Sequence, residues 1–278
     1  MKFGVVGSFG STAQVLEMAE TAEAAGWDGF FTWDGISIGE VDTFDPWALL
    51  GALTQRTSRM VLGAMVFPLA RRRPWKVARE AITVDHLSGG RLVLPVALGA
   101  ANDDGGFARV SGEATTRRER AERLDETLEI LEQAWTGETV SYRGKHYTAE
   151  DLVFRPRPVQ QPRIPIWVVG VHPVERSLRR AARWDGIMPV AQGAGMEPTR
   201  PETVAAVRDW MAEHRESDTP FDIVVEGQLP DDDPDAARAR LQALADAGAT
   251  WWIESRWEGE AAQPAGLLEM IRRGPLRS

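Results

Sequence analysis

The stretch Leu62–Asn102, LGAMVFPLARRRPWKVAREAITVDHLSGGRLVLPVALGAAN, decides the fold, because it reads as one complete strand, helix, strand unit. Met60–Phe67 is a bounded apolar run rich in strand formers, and Pro74 stands where the first turn of a helix needs no backbone donor. Val77, Ala78, Ala81 and Ile82 fall on one helical face, and Ser88-Gly89-Gly90 stops the helix. Leu92–Leu98 then resumes an apolar run, as a strand buried on both faces does. Pro95 predicts a bulge, since a mid-strand proline forfeits a ladder hydrogen bond and a closed parallel sheet has no free edge.

Outward from this unit the same alternation recurs. Further strands are expected near Phe3–Gly7, Gly29–Thr32, Ile166–Val169, Ile187–Val190, Ile223–Glu226 and Trp251–Glu254. Helix starts follow most of them, at Ser11-Thr12, Asp45-Pro46 and Asp233-Pro234. Ala121, Leu124, Leu128, Leu131 and Trp135, spaced three and four apart, make the strongest amphipathic helix. Eight strand-helix pairs in 278 residues point to an α/β chain folded as a (β/α)8 TIM barrel, one domain over residues 1–278. A doubly wound open sheet is the competing architecture. Its glycine fingerprint is poorly matched by Gly4-Val5-Val6-Gly7-Ser8-Phe9-Gly10, whose spacing is not G-x-G-x-x-G. Over about residues 137–165 the alternation breaks. Val140–Tyr142 and His146–Thr148 flank Arg143-Gly144-Lys145 as a hairpin, and Arg155-Pro156-Arg157-Pro158 runs extended, a small excursion after the fourth helix.

Composition narrows the chemistry. There are no cysteines, which excludes disulfides and thiol catalysis, and the four histidines do not pair at ligand spacing, so no metal site is expected. A net charge of −9 disfavours nucleic acid as a partner. No apolar run reaches the ~20 residues that cross a bilayer, and MKFGVVGSFG lacks a signal-peptide layout, so a cytoplasmic protein is expected. Arg71-Arg72-Arg73 and the group Arg117, Arg118, Arg120 and Arg123 read first as two solvated basic faces.

In a barrel of this class the working residues sit at the C-terminal ends of the strands. Asp34 and Glu226 are the candidate acid-base carboxylates there, each beside apolar neighbours able to raise its pKa. A carboxylate at a strand end is also a common arginine partner. Gly99-Ala100-Ala101-Asn102 leaves its strand with small side chains, as a tight turn or as a place where a flat ligand meets the backbone. Gly170-Val171-His172-Pro173 is expected to open a helix and offer free amides to a phosphate. Phe9, Trp33, Phe44, Phe67 and Trp257 could line an apolar pocket. Asp231-Asp232-Asp233 reads as solvated surface. Asp85-His86-Leu87-Ser88-Gly89-Gly90-Arg91 lies at the opposite, structural end, where His86 has no chemical role.

Several of these segments carry a resemblance: Leu62–Val66 with Arg72-Arg73-Pro74, Asp85–Arg91, Arg120 to Leu124-Asp125-Glu126, Phe154–Pro158, Ile166–Gly170 and Gly248–Trp252. With them the chain resembles the bacterial luciferase-like flavin oxidoreductases, a (β/α)8 family that uses FMN or the deazaflavin F420. The resemblance implies a cis peptide at Met65-Val66 against the cofactor ring, Gly99, Ala100, Ala101 and Asn102 beside that ring, and Gly170, Val171 and His172 on the cofactor phosphate with Arg120. It also implies monooxygenation or hydride transfer on a small, partly apolar organic substrate, and a homodimer. One departure stands out. Deazaflavin-dependent members commonly place histidine after the aspartate ending the second strand, and this chain reads Trp33-Asp34-Gly35. The proton donor is then Asp34 or the substrate, or the protein uses FMN, or it keeps a cofactor pocket without catalysis. A phosphate-binding lyase is disfavoured because none of Lys2, Lys76 and Lys145 ends a predicted strand.

Overall fold

Each helix begins and ends on the chemistry its sequence carries. In the computed structural model, which describes residues 1–99, 105–195 and 197–277, the helices are α1 Thr12–Ala24, α2 Pro46–Thr54, α3 Pro74–Ser88, α4 Arg117–Ala134, α5 Glu175–Ala182, α6 Pro201–His214, α7 Pro234–Ala247 and α8 Pro264–Arg273. Ser11 and Gln14 form a reciprocal capping box on α1. Asp45 accepts from the amides of Trp47 and Ala48, both at 3.0 Å, to start α2, and Asp233 accepts from Ala236 at 2.9 Å to start α7. Such caps satisfy amides that a helix start leaves unpaired. Gly89, left-handed at φ 67, ends α3.

The strands are β1 Lys2–Val6, β2 Gly29–Thr32, β3 Val61–Ala64, β4 Phe67–Pro68, β5 Leu94–Ala97, β6 Thr139–Arg143, β7 Thr148–Val153, β8 Ile166–His172, β9 Gly186–Ala191, β10 Asp222–Gly227 and β11 Trp251–Glu254. β6 and β7 form a separate antiparallel pair, and the other described strands alternate with the helices along the chain, the element order of the (β/α)8 barrel class. Two differences from the sequence reading lie in the third strand and the fifth. The run Met60–Phe67 is interrupted between β3 and β4, where the Met65–Val66 peptide is cis. Pro95 lies inside β5, and the irregularity falls instead on the facing strand, with Phe67 paired to Val96 and Pro68 to Ala97.

The chain divides into two compact units, one of Met1–Phe31, Arg59–Val61 and Ile166–Ser278, the other of Thr32–Ser58 and Leu62–Pro165. In the first unit β2, β1, β11, β10, β9 and β8 lie side by side in that order, parallel throughout. Phe31, Trp167 and Trp251 pack on its inner face with ring centroids 5.3–6.4 Å apart. Rings of this size bury on the order of 5 kcal/mol of transfer free energy each, as an upper bound. Gly4 makes room for them, since a Cβ there would come within 2.7 Å of both Ile253 and Phe31.

The second unit holds β4 paired with β5 and the antiparallel hairpin β6–β7. Two buried carboxylates fasten the excursion to the helices. Glu126 on α4 accepts from the successive amides of Lys145, His146 and Tyr147 at 2.8–3.1 Å. Asp85 on α3, fully buried, accepts from the amides of Val159 and Gln160 and from the Gln160 side chain. His86 bonds the Arg157 carbonyl at 2.7 Å, the structural part expected of it. Among the described residues, no helix is long and apolar enough to cross a membrane.

Candidate active site at the strand ends

Asp34 lies two residues past the end of β2, and Arg71 and Arg72 end the short turn that follows β4. The Asp34 side chain is fully buried. Arg72 grips it bidentately, Nε to Oδ2 and Nη2 to Oδ1, both at 3.0 Å, and Arg71 donates a further hydrogen bond to Oδ1. Burial alone would lower the Arg72 pKa; the Asp34 charge and hydrogen bond, with Asp45 and Glu80, overcome that and raise it. The Asp34 oxygens are thus occupied by guanidinium donors, where a carboxyl free to act as an acid was expected. Arg71 and Arg72 are likewise not a solvated face, being only 15% and 13% exposed.

Arg71 also lies over the Phe107 ring at 4.5 Å, and its buried Nε has no partner among the described residues. Arg71, Phe107, Glu113 and Arg120 line one small cavity with Pro68 and Leu98. Burial raises the Glu113 pKa against the opposing pull of Arg71, Arg123, Arg120 and Arg73. Gly99 stands beside them at φ +88, and a Cβ on it would lie 3.3 Å from Pro68, 3.7 Å from Arg120 and 3.8 Å from Phe107. Gly99 and Arg120, predicted as cofactor contacts, are thus neighbours. Met65 is held nearby in the chain by its amide, which donates to the Thr32 carbonyl at 2.8 Å. Ala100, Ala101 and Asn102 lie outside the described residues.

The expected phosphate cradle at Gly170–His172 is built differently. These residues continue β8, paired with Pro189, Val190 and Ala191, and α5 starts only at Glu175. The Val171 amide donates to Ser177 Oγ at 3.0 Å. A Cβ on Gly170 would fall 2.3 Å from Ile187, so strand packing already accounts for that glycine. The apolar run Ile166–Val169 was legible; its continuation through a glycine and a histidine was not.

Glu226 near the end of β10 has surroundings unlike those of Asp34. Burial raises its pKa, opposed among the described residues by hydrogen bonds with Ser255 and Trp257, both uncharged. The Trp257 indole donates to Oε1 at 3.2 Å and meets Phe9 edge-on at 6.1 Å. Burial thus favours the neutral acid, the form able to donate to a substrate oxygen.

Sequence reasoning missed a third group. Glu254 ends β11, 2% exposed, and Arg256 follows at 3%. Arg256 bonds Glu254 Oε1 at 3.2 Å and Asp231 Oδ1 at 2.7 Å. Asp231, on the surface as expected with 44% of its side chain exposed, is also an ion-pair partner, and Asp233 is a helix cap. The available signal was a glutamate and an arginine two residues apart, Glu254 and Arg256, at the end of an apolar run.

The chain belongs to the luciferase-like monooxygenase family, whose model matches residues 1–274. An F420-dependent glucose-6-phosphate dehydrogenase of Microbacterium testaceum is 32% identical over 59% of this chain and 49% of its own length. The chain spans about half the length of several curated relatives it matches. Among solved structures, an F420-dependent secondary alcohol dehydrogenase in complex with an F420-acetone adduct superposes with a TM-score of 0.79 at 16% identity, covering 97% of both chains. The oxygenating constituent of 3,6-diketocamphane monooxygenase of Pseudomonas putida, in complex with FMN, gives 0.74 at 15% identity, covering 98% of this chain and 96% of that one. At such identities the structural likeness speaks for the fold alone.

Proposed function

We propose that this protein is an oxidoreductase that binds reduced F420 or FMN and acts on a small, partly apolar organic substrate by hydride transfer or monooxygenation. The observation that carries the reading is the surface around Gly99, where a side-chain-free backbone adjoins Arg120, Phe107 and an Arg71 guanidinium with an unused buried donor. That donor set fits a flat, anionic cofactor: Met65 and Val66 would contact its ring and Arg71 and Arg120 its charged groups. Bound in reduced form, either cofactor supplies a hydride, and FMN also supplies reactivity towards dioxygen. Asp34 holds Arg71 and Arg72 in place. Glu226, whose pKa burial raises, donates to the substrate oxygen, with Phe9 and Trp257 as an apolar wall. We keep Gly170, Val171 and His172 as a proposed contact for the cofactor, with the His172 imidazole as its side-chain donor.

Titrating the purified protein with F420 and with FMN, followed by absorbance and fluorescence, tests this reading. Saturable binding of one of them is expected, and binding of neither would end it. Turnover of the reduced cofactor with any acceptor separates an enzyme from a binding protein on the same fold. We also infer a cytoplasmic homodimer whose chain unfolds as a single domain; light scattering, cell fractionation and the coincidence of unfolding transitions followed by two probes check these three points.

A further inference from the structure

The strand end Glu254–Trp257 has two faces. Ser255 and Trp257 turn to Glu226, both hydrogen-bonded to its carboxyl. Glu254 and Arg256 turn the other way and tie this strand end to the segment that leaves β10. The Leu229 amide donates to both Glu254 oxygens, at 3.2 and 3.3 Å, and Asp231, two residues further on, holds Arg256. The Trp252 indole donates to Glu254 Oε2 at 3.0 Å. One buried carboxylate thus gathers groups from the two segments that carry Glu226 and Trp257.

We propose that Glu254 is the positioning residue for the Glu226–Trp257 pair, holding the ends of β10 and β11 in register through the Leu229 amide and the Arg256–Asp231 ion pair. The proposal rests on the reading of Glu226 as the proton donor and adds to it the group that sets its geometry.

Glu254 is also able to change state. Burial pushes its carboxyl up to about 7, against the pull of Arg256, the Trp252 indole and the Leu229 amide. Among the described residues, charged groups face it from its own strand end, from the segment after β10 and from two helices. Arg256 comes from its own strand end and Asp231 from the segment after β10. Arg240 of α7 lies over the Trp252 ring at 5.1 Å, and burial lowers its pKa while Glu254 raises it. Arg273 of α8 lines the same cavity, about 160 Å³ in volume, as Glu254, Arg256 and Asp231. That cavity gives Glu254 room to exchange its proton with water. Protonation removes the charge that Arg256 and the Leu229 amide rely on, so the hold on Glu226 loosens as pH falls below 7.

Indole ¹⁵N–¹H spectra of the full-length protein test this without a substrate. Trp252→Phe and Trp257→Phe each remove one resonance and so assign the two reporters. In the parent, the Trp252 resonance should shift with a midpoint near pH 7. In Glu226→Gln the Trp257 resonance should still shift with that midpoint, and Glu254→Gln should abolish the shift. A Trp257 resonance that stays flat in Glu226→Gln while Trp252 titrates would overturn the proposal, as would a Trp252 resonance with no transition. The Glu226→Gln arm decides even if Glu254→Gln fails to fold. Full turnover in Glu226→Gln would instead retire the proton-donor reading and leave the coupling standing.

Discussion

Asp34 and Glu226 are both carboxylates at the ends of parallel strands, and nothing in their immediate sequence separates them. The structure does. Asp34 is fully buried and meets two guanidinium groups, while Glu226 meets an indole and a hydroxyl. Burial without a counter-charge favours the neutral acid, and burial with one favours the anion. The lesson is that strand position nominates a residue for chemistry, and the charge of its partners decides what chemistry it can do.

The hardest way to break this contrast is Glu226→Gln. General acid contributions run to about 10²–10⁴-fold, so turnover should fall about 10³-fold while cofactor affinity, read by fluorescence titration, changes little. Next in size is Arg72→Ala, which strips the bidentate partner from a buried anion and should cost about 3 kcal/mol in urea unfolding. Asp34→Asn should cost about 2 kcal/mol in the same measurement and lower turnover less than tenfold. Were Asp34→Asn to abolish turnover with stability intact, the two roles would have to be exchanged. Gly99→Ala forces a Cβ onto a positive φ and should cost about 1 kcal/mol and weaken cofactor binding.

The same contrast predicts a pH dependence of stability. Glu254 is raised to about 7 in the folded chain from an ordinary value of 4.5. Between those values the folded state binds its proton more tightly than the unfolded state does, so this group makes stability fall as pH rises from 4.5 through 7. Thermal unfolding across that range should show a shallower fall in Glu254→Gln than in the parent.

Most of the barrel was legible because its signals are local. Gly29–Thr32 and Trp251–Glu254 coincide with the expected strands, and α3 is bounded by Pro74 and Gly89 as its residues dictate. The third strand's interruption was legible only through the family resemblance, since the residues of Met60–Phe67 read as an unbroken strand. The site was less legible because its decisive contacts are distant in sequence. Asp34 meets Arg71 across 37 residues, and Glu254 meets Leu229 across 25. A run of three arginines after a strand looks the same whether it faces water or a buried aspartate, and only the fold supplies the aspartate.

Glu126 and Asp85 fasten two points of the excursion, the hairpin turn at Lys145–Tyr147 and the stretch Val159–Gln160, and most of what they accept is backbone amide. An amide belongs to every residue but proline, so this attachment reads almost nothing of the side chains it holds. What the two carboxylates fix is therefore the path of the backbone at the hairpin turn and at Val159–Gln160, not the residue types there: a change of chain length at the turn should break the Glu126 grip, and a substitution of Lys145 or Val159 other than to proline should leave both grips in place.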